Sequence, residues 1–201
     1  MEIQRVFLDA NILFSRTLRD WLFLLRIETE GNMFSLSTSE DALVEAQHSF
    51  RKKNPHVSGN AVSRIRETTA RFCDEVLTDY PVQTAGPFSD IHDLHIHSAA
   101  VAAHSHILVT KDKGFLDLDE DQKDDLPYEI VSADEFLVLV DDSASQFVQS
   151  VTKLQNEYWA QEAGGNGQKS IGGIVDALQQ SECPGFAFRV RRHLQQLSGP
   201  V

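Results

Sequence analysis

Four acidic residues stand at positions where their carboxylates could act together. Asp9 directly follows a short apolar run, and Asp112 lies two residues beyond the strand candidate that ends at Thr110. Glu45 lies within a helical pattern, and Asp93 begins another. Clustered carboxylates repel one another, so each favours its protonated form unless a cation neutralises the group. Oxygen ligands of this kind suit Mg²⁺ or Mn²⁺, and such a cation can activate water as a nucleophile. The sequence therefore predicts a metal site formed by these four residues.

Short apolar runs that alternate with helical patterns must bring these acids together. The strand candidates are residues 4–8, 33–36, 76–82, 107–110 and 128–131, and the helical patterns cover residues 18–27, 39–50, 62–76, 91–104 and 134–140. This alternation predicts an α/β fold, in which a parallel sheet is covered by helices on both faces. Ligands bind such sheets beyond the carboxyl ends of the strands, where Asp9 and Asp112 fall.

The pattern changes after Asp142. No strand pattern follows, and three amphipathic helical patterns are separated by a glycine-rich stretch at 164–168 and by Pro184-Gly185. We expect two parts: an α/β domain at residues 1–141 and an all-helical segment at residues 142–201. The segment could close the domain, form a dimer surface or contact a partner.

Composition limits the classes of protein to which the chain could belong. Of its 201 residues, 41% are hydrophobic and the net charge is −12; residues 1–140 carry −11 of it, much of it in an acidic stretch at 117–125 that we predict to be a solvated loop. This charge opposes broad binding to long nucleic acid but suits a basic protein partner. No apolar run is long enough to cross a bilayer. Two cysteines, Cys73 and Cys183, form no disulfide framework, so we expect a cytoplasmic protein.

Four stretches of the sequence together resemble a known family. They are Phe7 to Asn11, Ser39 to Glu45, Asp93 to His95 with an alanine-rich continuation, and Val109 to Asp112 with Phe115. In this order and spacing they resemble the PIN-domain ribonucleases, and most closely the VapC-type toxins of toxin–antitoxin pairs. The resemblance covers roughly residues 1–140, and the C-terminal segment departs from the minimal family.

The resemblance implies a function and a set of partners. It implies a PIN-like sheet and a metal-dependent endoribonuclease that leaves 5′-phosphate and 3′-hydroxyl ends, using Mg²⁺ or Mn²⁺. Such a protein would be the toxin of a type II pair, inhibited by a cognate antitoxin, and often a homodimer. The residues implied as metal ligands are Asp9, Glu45, Asp93 and Asp112, and those implied as supporting are Asn11, Thr110, Asp90 and His95.

Each acid also has a purely structural interpretation. Asp9 is a good helix N-cap, and Asn11 could either support Asp9 or cap the helix itself. Glu40 competes with Glu45 for the second position, although Glu40 also suits the first turn of a helix for dipole reasons. Glu45 could instead be a solvated charge at the border of its helix.

Two further groups of residues and two further functions stay open. The histidines between 92 and 106 suggest zinc, but without a cysteine or a close His pair they are better explained as surface or capping residues. The basic cluster from Arg189 to His193 could reach phosphates, contact an acidic partner or be a solvated face. The alternative function is a catalytically silent PIN-fold module that binds RNA or protein. A nuclease of this kind could also cut DNA.

Overall fold

The computed structural model describes residues 3–84, 86–88, 93–165 and 173–198. Five strands form one sheet: β1 (Gln4–Leu8), β2 (Phe34–Ser39), β3 (Glu75–Leu77), β4 (Ile107–Val109) and β5 (Glu129–Val131). All neighbouring strands are parallel, and their order is β3-β2-β1-β4-β5. The predicted α/β class with a parallel sheet of about five strands is confirmed.

Ten helices surround this sheet within the described ranges. They are α1 (Ala10–Phe14), α2 (Arg16–Glu28), α3 (Glu40–Lys53), α4 (Gly59–Phe72), α5 (Leu94–Ala102), α6 (Lys113–Leu116), α7 (Glu120–Asp124), α8 (Ala133–Gly165), α9 (Gly173–Gln180) and α10 (Pro184–Leu197). In the same part of the chain, none of them combines the length and apolar character that crossing a bilayer requires.

The central strand is buried on both faces. Val6, Phe7 and Leu8 are consecutive and each is fully buried, although successive side chains of a strand point to opposite faces. Helices therefore cover both sides of the sheet, as predicted. The strand order reverses at β1, with β2 on one side and β4 on the other, and ligands of open α/β sheets bind beyond the carboxyl ends of the strands at such a reversal.

β2 and β3 differ most from their predicted lengths. β3 ends at Leu77 instead of reaching residue 82; the stretch beyond contains Pro81, which has no backbone N–H to donate to a neighbouring strand. β2 continues through polar residues to Ser39 because its buried hydroxyls are satisfied. Ser37 donates to the Val6 carbonyl at 3.3 Å, and Thr38 donates to the Leu8 carbonyl at 3.0 Å.

Short helices account for the other differences. The five-residue α1 lies outside the predicted helical patterns and was implied only by the N-cap interpretation of Asp9. The acidic stretch at 117–125 is not simply a loop because it contains α7. Asp119 and Gln122 form a capping box that begins α7. The helix predicted from residue 91 is described only from Leu94, since residues 91 and 92 lie outside the described part.

The C-terminal helices complete the apolar core. The predicted boundary after residue 141 falls inside α8, which runs to Gly165 through a non-helical residue at Ala144. The Phe186 ring meets the Trp21 ring edge-on, with 4.9 Å between centroids. The Asp134 carboxylate accepts hydrogen bonds from the backbone N–H groups of Gly185 and Phe186 at 3.0 and 2.7 Å. The segment is helical as predicted, and it closes a core shared with the sheet.

Candidate functional site

The site lies where the carboxyl ends of β1 and β4 meet. The Asp9 backbone N–H donates to the Val109 carbonyl at 3.2 Å, which places Asp9 beside the end of β4. Only 5% of Asp9 is exposed. Of the four predicted metal ligands, all of them described, Asp9 is therefore the one that the fold holds in the interior.

Three donors fix the Asp9 carboxylate. Its Oδ2 accepts hydrogen bonds from Asn11 Nδ2 and from Thr110 Oγ1, each at 2.5 Å, and its Oδ1 accepts from the Ala10 backbone N–H at 2.5 Å. Asp9 is also the N-cap of α1. Asn11 supports Asp9 as one of the two alternatives predicted, and the N-cap interpretation holds at the same time.

Thr110 and Asn11 join the two strand ends into one network. Thr110 is fully buried, and its Oγ1 accepts a hydrogen bond from the Asp112 backbone N–H at 2.9 Å. Asn11 Oδ1 accepts a hydrogen bond from the Lys111 backbone N–H at 3.0 Å. Thr110, predicted as a supporting residue, makes its hydroxyl contacts with Asp9, Asn11 and the backbone of Asp112.

The electrostatic environment of Asp9 is unusual for a carboxylate. The pKa of Asp9 is raised from the ordinary 3.8 to about 6. Burial is the largest cause of the rise, the charges of Glu45 and Asp112 add to it, and hydrogen bonds from Thr110 and Ala10 oppose it. Two of the other predicted acids are therefore close enough to Asp9 for their charges to act on it.

Asp93 and Asp112 meet at a glycine. Asp112 is the N-cap of α6, and its Oδ1 accepts a hydrogen bond from the Gly114 backbone N–H at 2.7 Å. A Cβ atom placed on Gly114 would lie 2.7 Å from Asp93 Oδ2 and 3.2 Å from Asp112 Oδ1. Asp93 stands at the N-cap of α5, but its carboxylate does not cap that helix. The absence of a side chain at residue 114 thus leaves room for both carboxylates.

Glu45 joins the group through a histidine that follows Asp93. His95 Nε2 lies 3.5 Å from Glu45 Oε2, with 54% of the Glu45 side chain exposed. The competing acid, Glu40, forms an ion pair with Arg66 of α4. The structure thus places Glu45 beside the other acids and assigns Glu40 to a different contact.

The predicted metal ligands meet one requirement of a cation site. All four offer carboxylate oxygens, which Mg²⁺ and Mn²⁺ prefer, and their mutual repulsion would be relieved by a bound cation. Across the described ranges, however, no three or more His, Cys, Asp or Glu side chains are grouped closely enough to hold a metal ion. Asp90, predicted to assist, lies outside the described residues.

The histidines in and after α5 differ in their surroundings. His97 is buried, and its ring nitrogens contact Tyr128 Oη at 2.8 Å and Gln83 Oε1 at 3.2 Å; burial lowers its pKa. His104 follows the helix with a left-handed φ of 49°. The expected surface position is wrong for His97, which is buried.

The basic cluster of α10 is partly neutralised within the chain. Arg189 forms ion pairs with Asp141 at 3.2 Å and Asp142 at 2.5 Å, and His193 Nε2 lies 2.7 Å from Asp141 Oδ1. Arg191 and Arg192 are exposed. Arg189 and His193, two of the four residues of the cluster, therefore link α10 to α8 through these contacts.

One contact of the site was not predicted from the sequence. Lys111 Nζ lies 2.9 Å from Glu182 Oε2, which connects the residue before Asp112 to the turn between α9 and α10. Lys111 and Gly114 could have been noticed because they flank Asp112, whereas Glu182 lies 71 positions beyond Lys111 in a segment without a motif.

Comparison with known proteins does not assign a family to this arrangement. No protein-family model matches the chain, and neither the curated proteins nor the solved structures give a significant match.

Proposed function

We propose that this protein is a metal-dependent endoribonuclease of the PIN-domain type that acts as the toxin of a type II toxin–antitoxin pair. The observation that carries the proposal is that acids far apart in sequence approach one another pairwise near the carboxyl ends of β1 and β4, around the buried Asp9. The charges of Glu45 and Asp112 act on the buried Asp9, and Asp93 and Asp112 meet at Gly114. Mutually repelling carboxylates are costly to fold, so their gathering favours a use for them.

In this proposal Asp9, Glu45, Asp93 and Asp112 hold Mg²⁺ or Mn²⁺. A bound cation of this kind supplies a water of lowered pKa and stabilises charge on phosphoryl oxygens. Asp9 is preorganised by its three hydrogen-bond donors, which hold it in one orientation before a ligand arrives. Because Glu45, Asp93 and Asp112 are more exposed than Asp9, their side chains have more freedom to reorient and coordinate the ion.

The proposed substrate and partners follow from charge and from the resemblance. RNA is the proposed substrate, and a cognate antitoxin is the proposed inhibitor. The net charge of −12 gives the protein a surface that complements a basic partner. A homodimer is part of the same proposal, and the proposed location is the cytoplasm.

Cleavage of a mixed RNA pool tests the proposal. The wild-type protein is incubated with RNA in Mg²⁺, in Mn²⁺ and in EDTA, alongside Asp9→Asn and the control Glu40→Gln, which alters an acid paired with Arg66. We expect metal-dependent cleavage by the wild type and by Glu40→Gln, and a loss of at least about a hundredfold in Asp9→Asn. Equal cleavage by wild type and Asp9→Asn would indicate a contaminating nuclease and refute the proposal.

A specific observation favours a second candidate, the catalytically silent RNA-binding or protein-interaction module. In the part of the chain that the structure describes, the acids do not yet form a group of three around one point. This candidate predicts no heat of Mg²⁺ or Mn²⁺ binding by calorimetry and no cleavage, together with binding of RNA or of a partner protein. Metal binding that disappears in Asp9→Asn would exclude it.

A further inference from the structure

The acids at the carboxyl ends of β1 and β4 repel a phosphate group, so binding one there requires a positive charge nearby. Lys111 is fixed there by its backbone, because its N–H donates to Asn11 Oδ1 within the network that holds Asp9. Its ammonium group lies 2.9 Å from Glu182 Oε2, and 27% of its side chain is exposed. Lys111, one of the two lysines adjacent to Asp112 in sequence, is thus paired with a carboxylate from the turn between α9 and α10.

The backbone of Glu182 does not favour the residue it carries. Glu182 has φ +65° just after α9, a left-handed position where glycine is the usual residue. Its side chain is 73% exposed, and an exposed ion pair contributes little to stability. The small contribution of the ion pair with Lys111 to stability therefore does not explain why a glutamate occupies position 182. Unfavourable backbone conformations held in place by the surrounding fold are found preferentially at functional sites.

We propose that Lys111 is a phosphate-binding residue of this site and that Glu182 competes with the substrate phosphate for it. The identification of the ligand as an RNA phosphate rests on the proposed function; the competition itself rests on the 2.9 Å contact. In the free protein the Glu182 carboxylate holds the Lys111 ammonium group. An RNA phosphate takes its place, so the C-terminal segment sets how readily the site accepts RNA.

The mutual effect of the two charges agrees with this competition. The hydrogen bond and charge of Lys111 lower the pKa of Glu182, and the charge of Lys113 does so to a smaller extent. Glu182 is therefore ionised throughout the neutral range. It opposes phosphate binding as a constant negative charge at the edge of the site and is not switched by pH near neutrality.

Binding of a fluorescein-labelled oligouridylate, followed by anisotropy in EDTA at several salt concentrations, tests the proposal without cleavage. The variants are Glu182→Gln, Lys111→Met and the double variant. Glu120→Gln is the matched control because it removes the same charge from another exposed pair, that of Glu120 with Lys123 at 3.7 Å. Thermal melts establish that each variant is folded.

We expect Glu182→Gln to tighten binding about two- to fivefold, the range set by an exposed ion pair. Lys111→Met should weaken binding, and its dependence of log K on log salt should be less steep by about 0.7, the value for one lost contact to single-stranded RNA. Glu182→Gln should have no effect when Lys111→Met is already present, and Glu120→Gln should behave as the wild type.

Several results would overturn the proposal. They are an unchanged affinity in Glu182→Gln, an equal gain in Glu120→Gln, a full gain in the double variant, or no detectable binding by Glu182→Gln. The two proposals can fail separately. If RNA is never cleaved but the Glu182 effect is present, only the nuclease proposal fails. If Asp9-dependent cleavage occurs and Glu182→Gln changes neither binding nor KM, only the competition is refuted.

Discussion

Thr110 Oγ1 donates a hydrogen bond to Asp9 Oδ2 at 2.5 Å, although the two residues are 101 positions apart. The bond joins the ends of β1 and β4, the neighbouring strands at which the sheet order reverses. Since it lowers the pKa of Asp9 against the effect of burial, the ionisation of the central acid depends on correct pairing of these strands.

Replacing Thr110 by valine should raise the pKa of Asp9 above about 6. Valine keeps the shape of the side chain but removes the donor, so burial and neighbouring charge act with less opposition. Loss of a buried hydrogen bond to a charged group should also lower the free energy of unfolding by about 1.5–3 kcal/mol. Carboxyl ¹³C chemical shifts of Asp9 followed against pH measure the first effect, and urea unfolding measures the second.

Thr152→Val provides the control for this prediction. Thr152 is also fully buried, but its hydroxyl donates to the Val148 carbonyl of its own helix at 2.7 Å. It should leave the titration of Asp9 unchanged. An Asp9 pKa that stays at the wild-type value in Thr110→Val would contradict the role assigned to the hydroxyl.

Asp9→Asn should stabilise the metal-free protein at neutral pH and not at acid pH. The folded protein binds the Asp9 proton more tightly than the unfolded chain does, so stability falls as pH rises from 3.8 to about 6. That shift in pKa corresponds to roughly 3 kcal/mol. Part of this gain is lost because an asparagine amide accepts hydrogen bonds from the three donors less well than a carboxylate does. We expect a net gain of about 1–2 kcal/mol at pH 7.5 and none at pH 3.5 in urea unfolding with EDTA. An equal gain at both values would exclude ionisation as its cause.

Addition of Mg²⁺ should raise the melting temperature of the wild type more than that of Asp9→Asn. A cation that binds only the folded state at a hundred times its Kd stabilises that state by about 2.7 kcal/mol. Differential scanning fluorimetry with increasing Mg²⁺, compared with the same concentrations of KCl corrected for ionic strength, measures the difference. Identical increases in both proteins would show that Asp9 is not part of a cation site.

Gly114→Ala should impair the site while leaving the fold intact. The new Cβ would lie 2.7 Å from Asp93 Oδ2, and the end of the Asp93 side chain can move away more easily than backbone can. We expect a loss of RNA cleavage of about tenfold or more with less than about 1 kcal/mol lost in stability. Gly59→Ala is the control because nothing lies within 4 Å of its Cβ position. Full activity in Gly114→Ala would argue against a role for Asp93.

Phe186→Ala should destabilise the whole protein. Phe186 is fully buried against Trp21, and truncation of a buried phenylalanine removes about 3–5 kcal/mol. Phe188→Ala, in the same helix but 58% exposed, should remove less than about 1 kcal/mol. Both values come from urea unfolding followed by tryptophan fluorescence and circular dichroism. Two separate transitions in Phe186→Ala would instead indicate that the C-terminal helices unfold independently.

Local patterns located all five strands but did not give the full extent of β2 and β3 or the order of the strands in the sheet. The apolar run at β1 predicts a strand buried on both faces because three consecutive residues are hydrophobic. Its neighbours β2 and β4 come from residues about 30 and 100 positions away. No local sequence pattern shows which strands will pair over such distances. The five-residue α1 was missed for the opposite reason, since it is too short to show a helical period.

The site was predictable as a set of residue types but not as a set of contacts. Sequence alone left Glu40 and Glu45 as competitors, and the ion pair of Glu40 with Arg66 separates them. The neighbours of Asp112 were visible in the sequence, yet the pairing of Lys111 with Glu182 depends on how the turn before α10 lies over the sheet edge. Contacts of this kind become predictable only when the packing of the helices is known.

The Trp21–Phe186 contact also has a consequence for how the chain folds as it is made. The two rings are separated by about 165 residues, and ribosomes add roughly 5–20 residues per second. The Trp21 indole in α2 is therefore synthesised about ten to thirty seconds before the Phe186 ring that packs against it. During this interval a nascent chain exposes an apolar face that chaperones recognise. Completion of the core, and with it the docking of Glu182 beside Lys111, is a late event of synthesis.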